Sequence, residues 1–176
     1  MLTLHTKIES AKKIDGELVL PYELREKSRL RAQLTSGEEV AVFTVRGTVL
    51  RNGDLLKGDD GRVVKIVAAK EATYRVECAT PRDLLRCAFH LGNRHTQAQV
   101  DGAPDKGFLR IRRDTVLKDM LEGLGATVTE EQAAFEPESG AYGGGHHHHG
   151  DDHHHHHHPL APIPLRQKIH RPSDKS

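Results

Sequence analysis

Residues 73–95 read TYRVECATPRDLLRCAFHLGNRH, and the fold of the second half of the chain follows from where the period changes within this stretch. Tyr74, Val76 and Cys78 alternate, as residues on one face of a strand do, because side chains in extended backbone point to opposite faces in turn. At Thr80 the pattern switches. Thr80 can cap a helix, Pro81 suits the first helical position because its missing N–H has no partner there anyway, and Asp83 completes a capping-box-like arrangement. Leu84, Cys87, Ala88 and Leu91 then keep helical spacing until Gly92-Asn93, where a stop is expected.

Working downstream, strands are expected at 97–100 (QAQV) and 108–111 (FLRI), joined by a turn-rich loop with Asp101-Gly102, Pro104 and Lys106-Gly107. Asp114 caps a second helix with Leu117, Met120, Leu121 and Leu124 on one face, and Gly125 ends it. Residues 126–135 form the last candidate strand. The order is β-α-β-β-α-β, the ferredoxin-like arrangement, which hosts too many activities to indicate one.

Upstream the pattern is one of short strands and turns. Residues 17–20 (ELVL) follow an Asp15-Gly16 turn and 40–43 (VAVF) form an apolar run. Asn52-Gly53 after 48–50 has hairpin chemistry, because both residues tolerate positive φ, and Asp60-Gly61 precedes the strand-like 63–67. The charged segment 23–31 is either a short helix or a solvated loop. The fold class is therefore α+β. An N-terminal small all-β domain (1–69) is followed by a ferredoxin-like βαββαβ domain (70–142) and a His-rich tail (143–176). From residue 136 onward Gly, His, Pro and charge replace apolar periodicity, so the tail cannot bury enough surface to offset its ordering entropy and is expected to be disordered without a ligand.

Composition excludes several function classes. Lys plus Arg number 26 against 25 Asp plus Glu, a formal charge of +1, which argues against nucleic-acid binding through a basic surface. The opening MLTLHTKIESAKK has no apolar core of signal-peptide length, and no stretch approaches the roughly 20 apolar residues of a membrane span. A soluble, cytoplasmic protein with no membrane association is expected. Cys78 and Cys87 follow no CxxC spacing and read as reduced core cysteines.

Histidine carries the chemistry. Ten of the fourteen His lie in one short tract, where His146, His147, His148 and His149 are separated by Gly-Asp-Asp from His153, His154, His155, His156, His157 and His158. Neutral imidazole suits Ni, Zn and Cu, and Asp151 and Asp152 add carboxylate oxygens. Such an array binds several ions with little selectivity, and its affinity is expected to collapse as pH falls through about 6, because each ligand must lose its proton. A run of six also has the length of a purification tag. However, eighteen residues follow His158 and a second run lies just upstream, and a tag accounts for neither.

The other signal is HLGNRH, residues 90–95. Two His five apart around a helix stop cannot share one helical face, so they are not expected to chelate together within one chain. His90 reads as a half-buried helix-end residue. His95 falls in an exposed turn, where one imidazole binds weakly unless a second chain supplies another.

The HLGNRH stretch, the FEPESGAYGGG at 135–145, the poly-His tail and the early KIDGELVLPYELREKSR at 13–29 together closely resemble the UreE family of urease accessory proteins, which are nickel metallochaperones. The resemblance covers essentially the whole chain. It implies a homodimer joined through the ferredoxin-like domains, with His95 of each protomer meeting at the interface to bind nickel. It also implies delivery of that nickel to the urease apoprotein complex together with an accessory GTPase. The family's N-terminal domain is similar to peptide-binding modules, which makes residues 1–69 a candidate partner surface. Some relatives carry extra histidines in the strand before the second helix, where this chain has 110–115 (RIRRDT) and offers none. His170 is a further candidate to join the interfacial site, as is His90.

Nickel is thus the expected cargo, with Zn2+ or Cu2+ able to bind the same imidazoles. The competing reading is a general cytoplasmic nickel, zinc or copper buffer without a dedicated client. Catalysis is not expected, since there is no HExxH, no Ser-His-Asp or Cys-His constellation and no GxxxxGK[ST] loop.

Overall fold

The first sheet is built by alternation. In the computed structural model, which describes residues 1–103 and 106–139, this sheet takes in β1 (Leu2–Ile8), β2 (Gly16–Leu20), β3 (Arg29–Gln33), β4 (Glu39–Phe43), β5 (Leu55–Gly58) and β6 (Val63–Ala68). Its order is β2-β6-β5-β1-β4-β3, with β1 and β4 parallel, β2 and β6 parallel, and the remaining neighbours antiparallel. Leu2 and Leu4, Leu18 and Leu20, Val40 and Val42, and Val64 and Ile66 each sit two apart and point into one core, completed by Leu50 and Leu56.

Two local expectations change. Residues 48–50 form no strand, and Asn52-Gly53 closes no hairpin there. Instead Leu50 is fully buried and its N–H donates to the Arg25 carbonyl, while the Gly53 N–H donates to Ile66 O and the Asn52 side-chain oxygen accepts from the Ala68 N–H. Burial of Leu50 pins this segment as irregular backbone, and the turn residues serve to bond it to β6. The hairpin lies at Asp60-Gly61, between antiparallel β5 and β6, where Gly61 has φ +87°. The segment 23–31 is neither of its two alternatives throughout. It holds the four-residue helix α1 (Tyr22–Arg25), opened by Pro21, and then enters β3.

The second sheet comprises β7 (Lys70–Glu77), β8 (Gln99–Ala103), β9 (Lys106–Arg112) and β10 (Thr127–Ala134), in the order β10-β7-β9-β8, with every neighbour antiparallel. β7 starts three residues before the alternation at Thr73, because Lys70, Glu71 and Ala72 pair with Ala134, Ala133 and Gln132. Helices α2 (Pro81–Asn93) and α3 (Thr115–Gly123) contribute Cys87, Leu91 and Leu121 to a core with Tyr74, Val76, Leu109 and Ile111. Only Ala69 separates the last strand of one sheet from the first of the next. The chain is thus two sheet-rich domains with short helices. No helix among the described residues is long and apolar enough to cross a membrane.

Candidate metal centre

The helix that presents His95 is closed at both ends by its own sequence. At its start the Thr80 hydroxyl accepts from the Asp83 N–H at 3.2 Å and bonds the Asp83 carboxylate at 2.7 Å, as the capping residues imply. The Asp83 carboxyl titrates below its ordinary range, held there first by that hydroxyl and then by Arg86. At its far end α2 ends at Asn93, within the expected Gly92-Asn93 stop. Both residues remain helical, and the chain reverses two residues later at His95. The His95 N–H donates to Gly92 O at 2.9 Å and the Thr96 N–H to Leu91 O at 3.0 Å, the pair of bonds that defines a Schellman ending. The position between them requires left-handed backbone, and His95 occupies it with φ 54°.

His95 is the only non-glycine residue with positive φ among the described residues. A side chain there crowds the following carbonyl and costs roughly 1–2 kcal/mol, which is why glycine is usual. The imidazole is exposed, as the sequence implied, and borders an open groove of about 770 Å³. The groove wall includes Thr96, Gln97, Arg112, Arg113 and, from the first domain, Glu26. Gln97 ties the wall together by donating to Glu26 Oε2 at 3.4 Å and accepting from Arg112 Nη2 at 3.3 Å.

His90 sits apart from this loop. It is half-buried on the last turn of α2, its ring edge-on to Phe89 with centroids 5.5 Å apart. Among the described residues no three His, Cys, Asp or Glu side chains converge in one chain to hold a metal ion. Among the described residues the groove lining holds one imidazole, that of His95. The histidines from His146 to His149 and from His153 to His158, and also His170, lie outside the described residues. Cys78 and Cys87 are free thiols whose sulfurs face each other at 3.8 Å inside the second core. Burial first, and then the contact with Cys87, pushes the Cys78 thiol up to about 12, so it stays protonated at neutral pH and is a poor ligand there.

Sequence reasoning missed a cluster centred on Glu136. Arg25, completely buried, donates to the carbonyls of Leu20, Leu50 and Phe135 and to Glu136 Oε1. Arg51 donates to Glu136 Oε2 at 3.3 Å, to Pro137 O at 2.8 Å and to Ser139 Oγ at 2.8 Å, and the Asn52 N–H donates to Glu136 Oε1 at 3.1 Å. Phe135 meets the Tyr22 ring edge-on at 5.4 Å. The only hint in the sequence was an acidic FEPE segment following directly on the last strand.

Two family profiles divide the chain where the two sheets meet. The profile described as UreE urease accessory protein, N-terminal domain, matches residues 2–69, and that of the UreE urease accessory protein, C-terminal domain, matches 71–159. A urease accessory protein UreE of Janthinobacterium sp. (strain Marseille) is 76% identical over 176 residues, spanning 100% of this chain and 99% of the relative. The protein of the same description from Nitrosospira multiformis is 72% identical over 99% of this chain and 98% of its own length. That of Ectopseudomonas mendocina is 49% identical over 81% of this chain and 84% of its own length.

Proposed function

The chain belongs to the UreE family of urease accessory proteins, and on that premise we propose that it is a nickel-binding metallochaperone delivering Ni2+ for assembly of the urease metallocentre. The observation that carries the reading is His95. An exposed imidazole is held by a strained left-handed backbone at the end of a well-capped helix, and strain of this kind persists where a site needs a fixed orientation.

A site with one imidazole per chain is completed by a second copy, so the protein acts as a homodimer with the two His95 side chains at the interface. Support comes from α2, where Leu85 and Phe89, four residues apart and 72% and 63% exposed, form an apolar face turned away from the core residues Cys87 and Leu91. The antiparallel order β10-β7-β9-β8 with both helices packed into one core supports a ferredoxin-like domain for dimerisation and metal binding, set between an N-terminal partner domain and a metal-binding tail.

In this scheme the ten tail imidazoles collect ions and His95 holds the one to be delivered. Both sets are labile nitrogen ligands, and burial keeps the Cys78 thiol protonated, so the cargo is not trapped as in a structural zinc site. The client is the urease apoprotein complex with its accessory GTPase. The chain itself performs no catalysis and works in the cytoplasm. A general metal buffer is the alternative, and the two readings differ in whether the folded part matters. Urease activation at limiting nickel in cells carrying His95→Ala with the tail intact separates them. A clear loss of activity is expected, and full activity would leave only the buffer.

A further inference from the structure

The exit from β10 follows a course that the two sheets do not require. β10 and β8 are opposite edges of the second sheet, three interstrand steps or about 14 Å apart. Ala134 still pairs with Lys70 on the β10 side. By Glu138 the chain has crossed to the other edge, where the Glu136 N–H donates to Gln99 Oε1 at 2.9 Å and the Glu138 N–H donates to Ala98 O at 2.9 Å. Ala98 is three residues from His95, at most about 11 Å along the chain. The crossing is held from the first domain. Arg25 takes Phe135 and Glu136, and Arg51 takes Glu136, Pro137 and Ser139, so every residue from 135 to 139 except Glu138 is bonded to an arginine of the other domain.

We propose that Arg51 and Glu136 are positioning residues, forming a clasp that roots the histidine-rich tail beside the His95 loop so that ions collected by the tail reach that site at high effective concentration. This rests on the reading of the tail as a reservoir feeding His95. His146 follows Glu138 by eight positions, a tether that reaches up to about 28 Å and so covers the distance to His95. With the clasp released the root falls back to Ala134. The tether is then four residues longer and starts from the far edge of the sheet. Effective concentration drops steeply when an anchor recedes and its tether lengthens, here by about fivefold. Arg51 is the variant of choice because it is partly exposed, whereas Arg25 is wholly buried and its loss endangers the fold itself.

The test follows nickel loading of the His95 site by stopped-flow absorbance in full-length protein supplied with one Ni2+ per dimer, the signal being assigned by its loss in His95→Ala. Arg51→Ala and, independently, the shape-preserving Glu136→Gln are expected to load about fivefold more slowly than the parent. In full-length protein whose ten tail histidines are replaced by asparagine, the same substitutions are expected to change neither the loading rate nor the nickel affinity. Unchanged loading in both variants with the tail histidines present would overturn the clasp and leave the reservoir reading standing. A slowing that persists without the tail histidines would also overturn it, marking the two residues as merely structural. If replacing the tail histidines does not slow the parent at all, the reservoir reading itself fails and the clasp falls with it.

Discussion

Helices α2 and α3 end in the same hydrogen-bond pattern but put different residues at its critical point. At α3 the Gly125 N–H donates to Glu122 O at 2.9 Å and the Ala126 N–H to Leu121 O at 3.1 Å, with Gly125 at φ +90°. At α2 the equivalent bonds are made by His95 and Thr96, with His95 at φ 54°. Both turns close over buried leucines, Leu121 and Leu91, so the packing reason for reversing the chain is the same. Glycine adopts the left-handed region without steric cost, while histidine does so at roughly 1–2 kcal/mol. The α3 ending obeys the local rule and serves the fold. The α2 ending breaks the rule at the one residue to which the family resemblance assigns a nickel ligand, and it is at such sites that local consistency is expected to fail.

Exchanging the residues tests the contrast most severely. His95→Gly is expected to weaken nickel binding by the folded part by at least about 100-fold, since loss of a ligand exceeds the 10–100-fold typical of losing its supporting partners. The same substitution is expected to raise stability by about 1 kcal/mol, because it removes the left-handed cost. Calorimetry in protein lacking the tail histidines reads the first effect and urea unfolding the second. Loss of stability would mean that His95 is there to hold the turn.

At the other ending the sign reverses. Gly125→His is expected to destabilise by about 1–2 kcal/mol in the same unfolding experiment, with nickel binding untouched. Equal stability would show that this turn tolerates a side chain and would dissolve the contrast.

A smaller effect concerns Gly92, which the sequence offers as the natural stop. It lies inside the helix, and a Cβ built there meets nothing within 4 Å. Gly92→Ala is therefore expected to stabilise α2 by about 0.5–1 kcal/mol. Destabilisation on unfolding would mean that Gly92 ends the helix after all.

The smallest effect lies at the opposite end of α2. Asp83 sits in the folded protein below its ordinary value of 3.8, held there by the Thr80 hydroxyl and Arg86. Its contribution to the cap is thus complete above about pH 3.8 and is lost as acid protonates it below that. Amide exchange in the first turn of α2 is expected to quicken below pH 3.8 in the parent but not in Asp83→Asn. No difference between the two would remove the carboxylate from the cap.

The legible parts of this fold are those written in short-range periodicity. Tyr74-Val76-Cys78, the Thr80-Pro81-Asp83 start and the Asp114 cap, whose Oδ1 accepts from the Leu117 N–H at 3.0 Å, all depend on neighbours within a turn. The misread parts depend on distant ones. Residues 48–50 look like a strand until Leu50 is drawn into a core assembled from five strands. The helix ends at Asn93, as Gly92-Asn93 suggests, but the left-handed residue that closes it is His95 and not a glycine. The ion pair between Arg25 and Glu136 spans 111 residues and has no local signature at all. His95 was legible by type and exposure, but its left-handed backbone was not, because histidine at that position contradicts the propensity from which the turn would be read.

The central claim is that nickel is held by the folded part through His95 and not by the tail alone. Calorimetric nickel titration of full-length protein whose ten tail histidines are replaced by asparagine tests it most directly, alone and with His95→Ala added. One tight site per dimer is expected to survive the loss of the tail histidines and to vanish with His95→Ala. Disappearance of all binding with the tail histidines, or a site that persists without His95, would contradict the account.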